Sequence, residues 1–230
     1  MGQESKIKPI PFNTKMVRAI LEDRKTVTRR AVKGYALDHL ELDTDGSIIG
    51  VYNQDEGSVF PIMDYAPYRP GDVLYVRETW RKDVGRYMYK ANYSDDEKFY
   101  RDGKEVLVKW RPSIHMPREA SRIFLRVTNV RVERLHTQFF NHSAAIFSLQ
   151  EEGVDIGNHC QGCISFCGCP WCIDEESECG ELDYVRDKFA NLWDSTIKLK
   201  DRALYGWEAN PWVWVIGFER CEKPEAAAHE

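Results

Sequence analysis

The spacing of turn signals constrains the fold of this chain more than any other feature. Asp45-Gly46, Pro70-Gly71 and Asp102-Gly103 each sit between short β-prone runs. Such dipeptides supply the positive or fixed φ that a tight reversal needs, so they divide the chain into short strands. The first joins residues 40–42 to 48–51, inside an irregular surface excursion over 34–66. The second precedes a strand over 72–80 that places Leu74, Val76 and Glu78 on one face. Further strands are predicted over 87–93, 106–108, 123–135 and 212–220, the last opened by Pro211. In 123–135, Ile123, Leu125 and Val127 share one parity and Val130 and Val132 the other, which predicts a bulge near Asn129. Pro9 and Pro11 lack an amide donor, so residues 8–12 read as an edge segment.

Helices are few. Asn13 or Thr14 can cap a helix in which Val17, Ile20 and Leu21 form one apolar face and which ends near Arg24. A second is predicted over 137–150. A third, capped by Asp183, carries the stripe Tyr184, Val185, Lys188, Phe189, Leu192 and Trp193. Short strands that outnumber helices predict an α+β fold, a small mixed β-barrel with flanking helices.

The 230 residues carry a net charge of -5, but the charge is unevenly placed. Residues 1–35 hold nine Lys/Arg against three acids, and residues 101–135 nine against four. Residues 151–187 hold ten acids and a single Arg186. Two basic segments point to a nucleic-acid partner that the average charge hides, although solvated surface cations would look the same. No run of 18 apolar residues could cross a membrane, and residues 1–8 are polar without an apolar signal region. A cytoplasmic protein without a membrane partner is the expectation, with residues 222–230 as a disordered tail.

Six of the seven cysteines fall between Cys160 and Cys179. A cytosolic chain does not stabilise itself with disulfides, so the crowding points to a metal. Cys160-x2-Cys163 and Cys169-x2-Cys172 form two hooks of the kind that converge on zinc. A closed set of four thiolates leaves no position for water, so the expected role is a structural zinc that folds a segment poor in apolar residues. Cys167 or Cys179 could replace a member of the set. An iron–sulfur cluster and a loop of free redox-active thiols are the alternatives. The acidic segment around the cluster would also suit docking to a protein partner.

Five segments in order resemble the ASCH domain family, especially its phage-associated branch. They are Phe12 to Arg30 with Arg-Lys-Thr-Val-Thr-Arg-Arg, Arg69 to Trp80 with Arg-Pro-Gly-Asp-Val-Leu-Tyr-Val-Arg-Glu-Thr-Trp, Trp110 to Leu135, Glu151 to Gly153, and Asn210 to Phe218. The resemblance implies a PUA-like barrel over residues 1–153 and 183–221, interrupted by a Cys-rich insertion over 154–182. It also implies work on RNA or a modified nucleoside. A small bacterial member of the family is an amidohydrolase that removes the acetyl group from N-acetylated cytidine with a lysine, a threonine three residues later and a glutamate after the following helix. Lys25 and Thr28 match that pattern here, and Glu152 matches the glutamate with Glu151 adjacent as the alternative. The insertion directly after Glu152 departs from the family pattern.

The residue types suit that chemistry. A threonine hydroxyl becomes a nucleophile once a base takes its proton, and a lysine can be that base when burial or nearby cations lower its pKa. A glutamate can hold the lysine or relay the proton to the leaving amine. The plainer reading makes Lys25 a cation at a helix C-terminus and Thr28 a strand former. Binding without catalysis is the competing function. In it Lys25, Arg29, Arg30, Arg118 and Arg122 grip phosphates while Trp80 or Trp110 stacks a base, unless those rings are core. Glu78 would read a base edge or pair with an arginine. Ser113, His115 and Arg118, in a loop framed by Pro112 and Pro117, would shape a pocket rim.

Overall fold

The structure is a computed structural model and describes residues 7–139, 142–154 and 181–224. The chain divides into two units. The first comprises residues 1–26, 69–129 and 217–230, and the second residues 27–68 and 130–216.

In the first unit, β1 (Ile7–Pro11) runs parallel to β6 (Val73–Arg77), with Ile7 opposite Val73 and Pro11 opposite Arg77. The two prolines place β1 at an end of its sheet, where a missing donor costs least. The helix α1 (Thr14–Leu21) starts where Asn13 Oδ1 accepts from the Met16 amide at 2.9 Å, as its position predicts. Val17 and Ile20 face inward and are buried. Between Pro70 and β6, Gly71 has φ 89 and the Asp72 amide donates to Arg69 O, which makes the expected turn. Leu74, Val76 and Glu78 are all buried to about 1% exposure or less, so the predicted face is the inner one.

The strand expected over 72–80 is two strands. β6 ends at Arg77, and β7 (Trp80–Asp83) pairs with β8 (Arg86–Tyr89) instead. The break has a cause at Glu78, whose amide donates to Met116 Sδ rather than to a strand partner. β9 (Phe99–Arg101) and β10 (Lys104–Val106) form the hairpin whose turn is Asp102-Gly103, both with positive φ. β11 (Phe124–Arg134) pairs antiparallel with β6 through Phe124, Leu125 and Arg126.

In the second unit, β2 (Val27–Ala31) precedes the short helix α2 (Tyr35–Asp38) and the antiparallel sheet of β3 (Leu40–Leu42), β4 (Ile48–Asn53) and β5 (Ser58–Phe60). The excursion over 34–66 is therefore ordered, and its first hairpin turns at Gly46 with φ 82. The helix expected over 137–150 is a 3-10 turn (Leu135–Phe139) followed by α3 (His142–Glu151). Helix α4 (Glu181–Thr196) turns Phe189 and Trp193 onto a core with Leu135, Leu149, Val154, Trp207, Val213 and Val215. The short α5 (Arg202–Tyr205) and β12 (Trp212–Cys221) complete the order.

The main sheet has the strand order β1-β6-β11-β12-β2, and β11 and β12 each belong to both units. Residues 213–218 of β12 are all buried, as both faces of an interior strand should be. Along β11, Leu125 and Val127 are buried, Thr128 and Asn129 exposed, and Val130 and Val132 half-buried. The inward parity therefore changes where the bulge was expected. The architecture is α+β, and among the described residues the main sheet is open, with β1 and β2 at its ends. No helix of the described residues is long and apolar enough to cross a membrane.

Candidate functional site

Strand β2 carries the basic motif of the second unit. Successive side chains of a strand point to opposite faces, so Thr28 and Arg30 share one side while Val27, Arg29 and Ala31 share the other. Val27 and Ala31 pack into the core, which draws Arg29 in with them. Its side chain is 2% exposed. A buried guanidinium needs acceptors, and three surround it. Nη1 donates to Glu152 Oε1 at 2.9 Å, and Nη2 donates to Ser148 Oγ at 2.9 Å and Glu133 Oε1 at 3.2 Å. Glu152 and Ser148 lie at the end of α3, so Arg29 fastens that helix end to β2 across 123 positions of sequence. Glu133 is also held by Arg131 at 3.1 Å. Arg29 Nε is buried and has no acceptor among the described residues.

Thr28 is 2% exposed, and strand parity sets it on the face opposite Arg29. Of the two adjacent acids, Glu152 is the buried one that reaches β2, whereas Glu151 is half-buried. Burial pushes the pKa of Arg30 down, opposed by the charge of Glu152 and then of Tyr68. A cavity of about 330 Å³ opens beside the strand, with Arg29, Arg30 and Lys33 on one side and Trp193, Thr196 and Ile197 on the other. Lys33 Nζ stands 4.5 Å from the centre of the Tyr205 ring. Sequence reasoning missed Lys33 and the residues of α4 as site residues. Lys33 continues the basic run from Arg24, but nothing in the helical stripe marks Trp193 as more than core.

Lys25 belongs to the first unit. It is 3% exposed, and its Nζ lies 5.7 Å from the centre of the Phe12 ring. Burial at this level excludes the solvated helix-end cation that the plainer reading described.

The same unit holds a second arginine–glutamate arrangement. Glu78 is 1% exposed, and Arg122 grips it with both arms of its fork, Nε to Oε1 at 2.9 Å and Nη2 to Oε2 at 3.0 Å. Arg122 Nη1 donates to Asn92 Oδ1 at 2.8 Å, and its guanidinium lies 4.1 Å from the centre of the Tyr89 ring. Tyr89 is itself fixed by donation to Ala120 O at 2.8 Å. Burial raises the Glu78 pKa, against the opposing hydrogen bond and charge of Arg122.

The aromatic candidates separate. Trp80 is 4% exposed and packs with Met116 and Ala120, with Arg111 over its ring at 5.3 Å, so its faces are occupied and it is core rather than a stacking platform. Trp110 is half-buried among Tyr93, Phe99 and Lys90. Ser113 and His115 form a short 3-10 turn, with Ser113 half-buried and His115 and Arg118 exposed. Cys160, Cys163, Cys169 and Cys172 lie outside the described residues, and with them the zinc assignment. Cys221 is half-buried beside Val73, Tyr75 and Phe124.

No family model matches the chain, and no curated protein matches it significantly. The chain is similar to the crystal structure of protein EF3133 from Enterococcus faecalis V583, described by the family model DUF984. The identity is 11%, the TM-score 0.38, and the likeness covers 100% of this chain and 89% of that one. A score at that level bears on neither fold nor function.

Proposed function

We propose that the chain is an RNA- or modified-nucleoside-interacting protein of the ASCH type, in which Lys25, Thr28 and Glu152 remove the acetyl group of an N4-acetylcytidine-like substrate. One observation supports the reading above the others. Glu152, remote in sequence, is brought to β2 by its 2.9 Å bond to Arg29, the sequence neighbour of Thr28 on the opposite face of the strand. In the proposed reaction the Thr28 hydroxyl attacks the acetyl carbonyl and Lys25 takes its proton. The C–N bond breaks, the cytosine amine leaves with a proton relayed from the site, and water then releases acetate from Thr28. Arg29 acts as a positioning residue that holds the buried Glu152 carboxylate in place. The PUA-like barrel, a cytoplasmic location and a structural zinc on Cys160, Cys163, Cys169 and Cys172 belong to the same proposal. About one zinc per chain in purified protein would support the metal site, and a folded metal-free preparation would remove it.

A second reading is favoured by the same contact. Glu152 is committed to Arg29, and a committed carboxylate suits a binding module without chemistry, whose ligand is RNA. Incubation of the full chain with N4-acetylcytidine separates the two. Release of acetate that disappears in Thr28→Ala supports the hydrolase. No release at high protein concentration, with RNA affinity that falls steeply as salt is added, supports the binding module.

A further inference from the structure

We infer that the cavity beside β2 is a phosphate-binding site, and that the nucleoside ligand arrives there as its monophosphate. The nucleoside half rests on the function proposed above, and the phosphate half does not. A volume of about 330 Å³ lies at the small end of the range for small-molecule sites, enough for a compact polar ligand and too little for a nucleic-acid duplex. Among the described residues that line it, Arg29, Arg30 and Lys33 are cationic and none is acidic.

Opposing fields come from α4 and from Glu152, whose charge acts on Arg30. Thr196 is the last residue of that helix, and a helix C-terminus carries about half an elementary negative charge. Arg30 and Lys33 outweigh the helix end, while the charge of Arg29 is offset by its own carboxylates. Two of the carboxylates near the strand, Glu152 and Glu133, are taken up by Arg29, and Glu133 is shared with Arg131.

Arg29 lines the cavity, and its Nε is buried without an acceptor among the described residues, so that edge of the guanidinium adds an uncompensated positive field beside the cavity. The opposite wall is suited to the rest of a nucleotide. Trp193 Nε1 is already spent on Tyr205 O at 2.7 Å, which leaves the indole as an apolar wall. The Thr196 hydroxyl donates to Trp193 O at 2.7 Å and keeps lone pairs to accept from a sugar hydroxyl.

The test is calorimetric titration of the full chain at low salt with cytidine monophosphate, cytidine and inorganic phosphate, repeated on Lys33→Gln. Lys33 is exposed, so its replacement leaves the fold intact. Cytidine monophosphate should bind at least about tenfold more tightly than cytidine, with the gap narrowing in Lys33→Gln and with added salt. Inorganic phosphate should compete for the site. Equal affinity for the two cytidine compounds, or no binding of the monophosphate, would overturn the inference. Phosphate binding as tight as that of the nucleotide would keep the phosphate site and remove the nucleoside from it. Loss of acetate release alone would touch only the hydrolase reading.

Discussion

Glu152 in the second unit and Glu78 in the first are both buried carboxylates held by arginine, but burial falls on different members of the two pairs. At Glu152 the arginine is the more deeply buried partner, with side-chain exposures of 2% for Arg29 and 7% for Glu152. At Glu78 the carboxylate is at 1% and Arg122 at 26%. Arg29 spreads its donors over Glu152, Glu133 and Ser148, whereas Arg122 sets a two-armed fork on one carboxylate and lies flat on Tyr89. The first arrangement joins distant chain segments and leaves one buried donor, Nε, without an acceptor among the described residues. The second holds a guanidinium rigid and partly open to solvent, and solvent can take over some of its charge when the partner is lost.

The largest expected effect follows from removing the buried hub. Arg29→Met takes the buried arginine from Glu152 and leaves Glu133 to Arg131, and the unfolding free energy from denaturant titration should fall by roughly 3–5 kcal/mol. A loss near zero would mean that the two pairs do not differ as described. Arg122→Met should cost less, roughly 2–3 kcal/mol at neutral pH, because Glu78 can take up a proton and shed its unpaired charge. That loss should shrink as the pH is lowered, in contrast to a loss that stays constant.

Glu78 makes the comparison sharper through pH. Its pKa is raised by burial, with the hydrogen bond and charge of Arg122 opposing. The folded chain therefore binds this proton more tightly than the unfolded chain does. The Glu78 contribution to stability is fully present below the unfolded carboxyl value of about 4.3 and is lost as the pH rises through the higher folded value. The stability of the natural chain minus that of Glu78→Gln should accordingly fall as the pH is raised from about 4 into the neutral range. A flat difference would mean that the pairing energy balances the cost of burial, and a difference that rises with pH would place the pairing above it. The smallest effect is expected from Arg122→Lys, which keeps the charge and loses the fork, at about 1 kcal/mol by the same titration.

Local chemistry made much of the fold legible. The Asn13 cap, the turns at Gly46, Gly71 and Gly103, and the inward face of Leu74, Val76 and Glu78 each depend on a few adjacent residues, and a sequence displays those. The break after Arg77 was not legible, because it depends on Met116 offering its sulfur to the Glu78 amide from 38 positions away. The burial of Arg29 follows from strand parity once β2 is placed. Its partners do not, since Ser148 and Glu152 reach it only through the packing of α3. Trp80 was open to a stacking role in sequence and is closed by its neighbours in space. The cavity residues Lys33 and Trp193 are 160 positions apart and share no pattern that would join them.

The most direct test compares turnover with binding in a single pair of proteins. Thr28→Val removes the hydroxyl and little else, so the variant should bind cytidine monophosphate as the natural chain does and release no acetate from N4-acetylcytidine. Equal acetate release by both proteins would show that Thr28 is not the nucleophile and that the chemistry assigned to β2 is wrong.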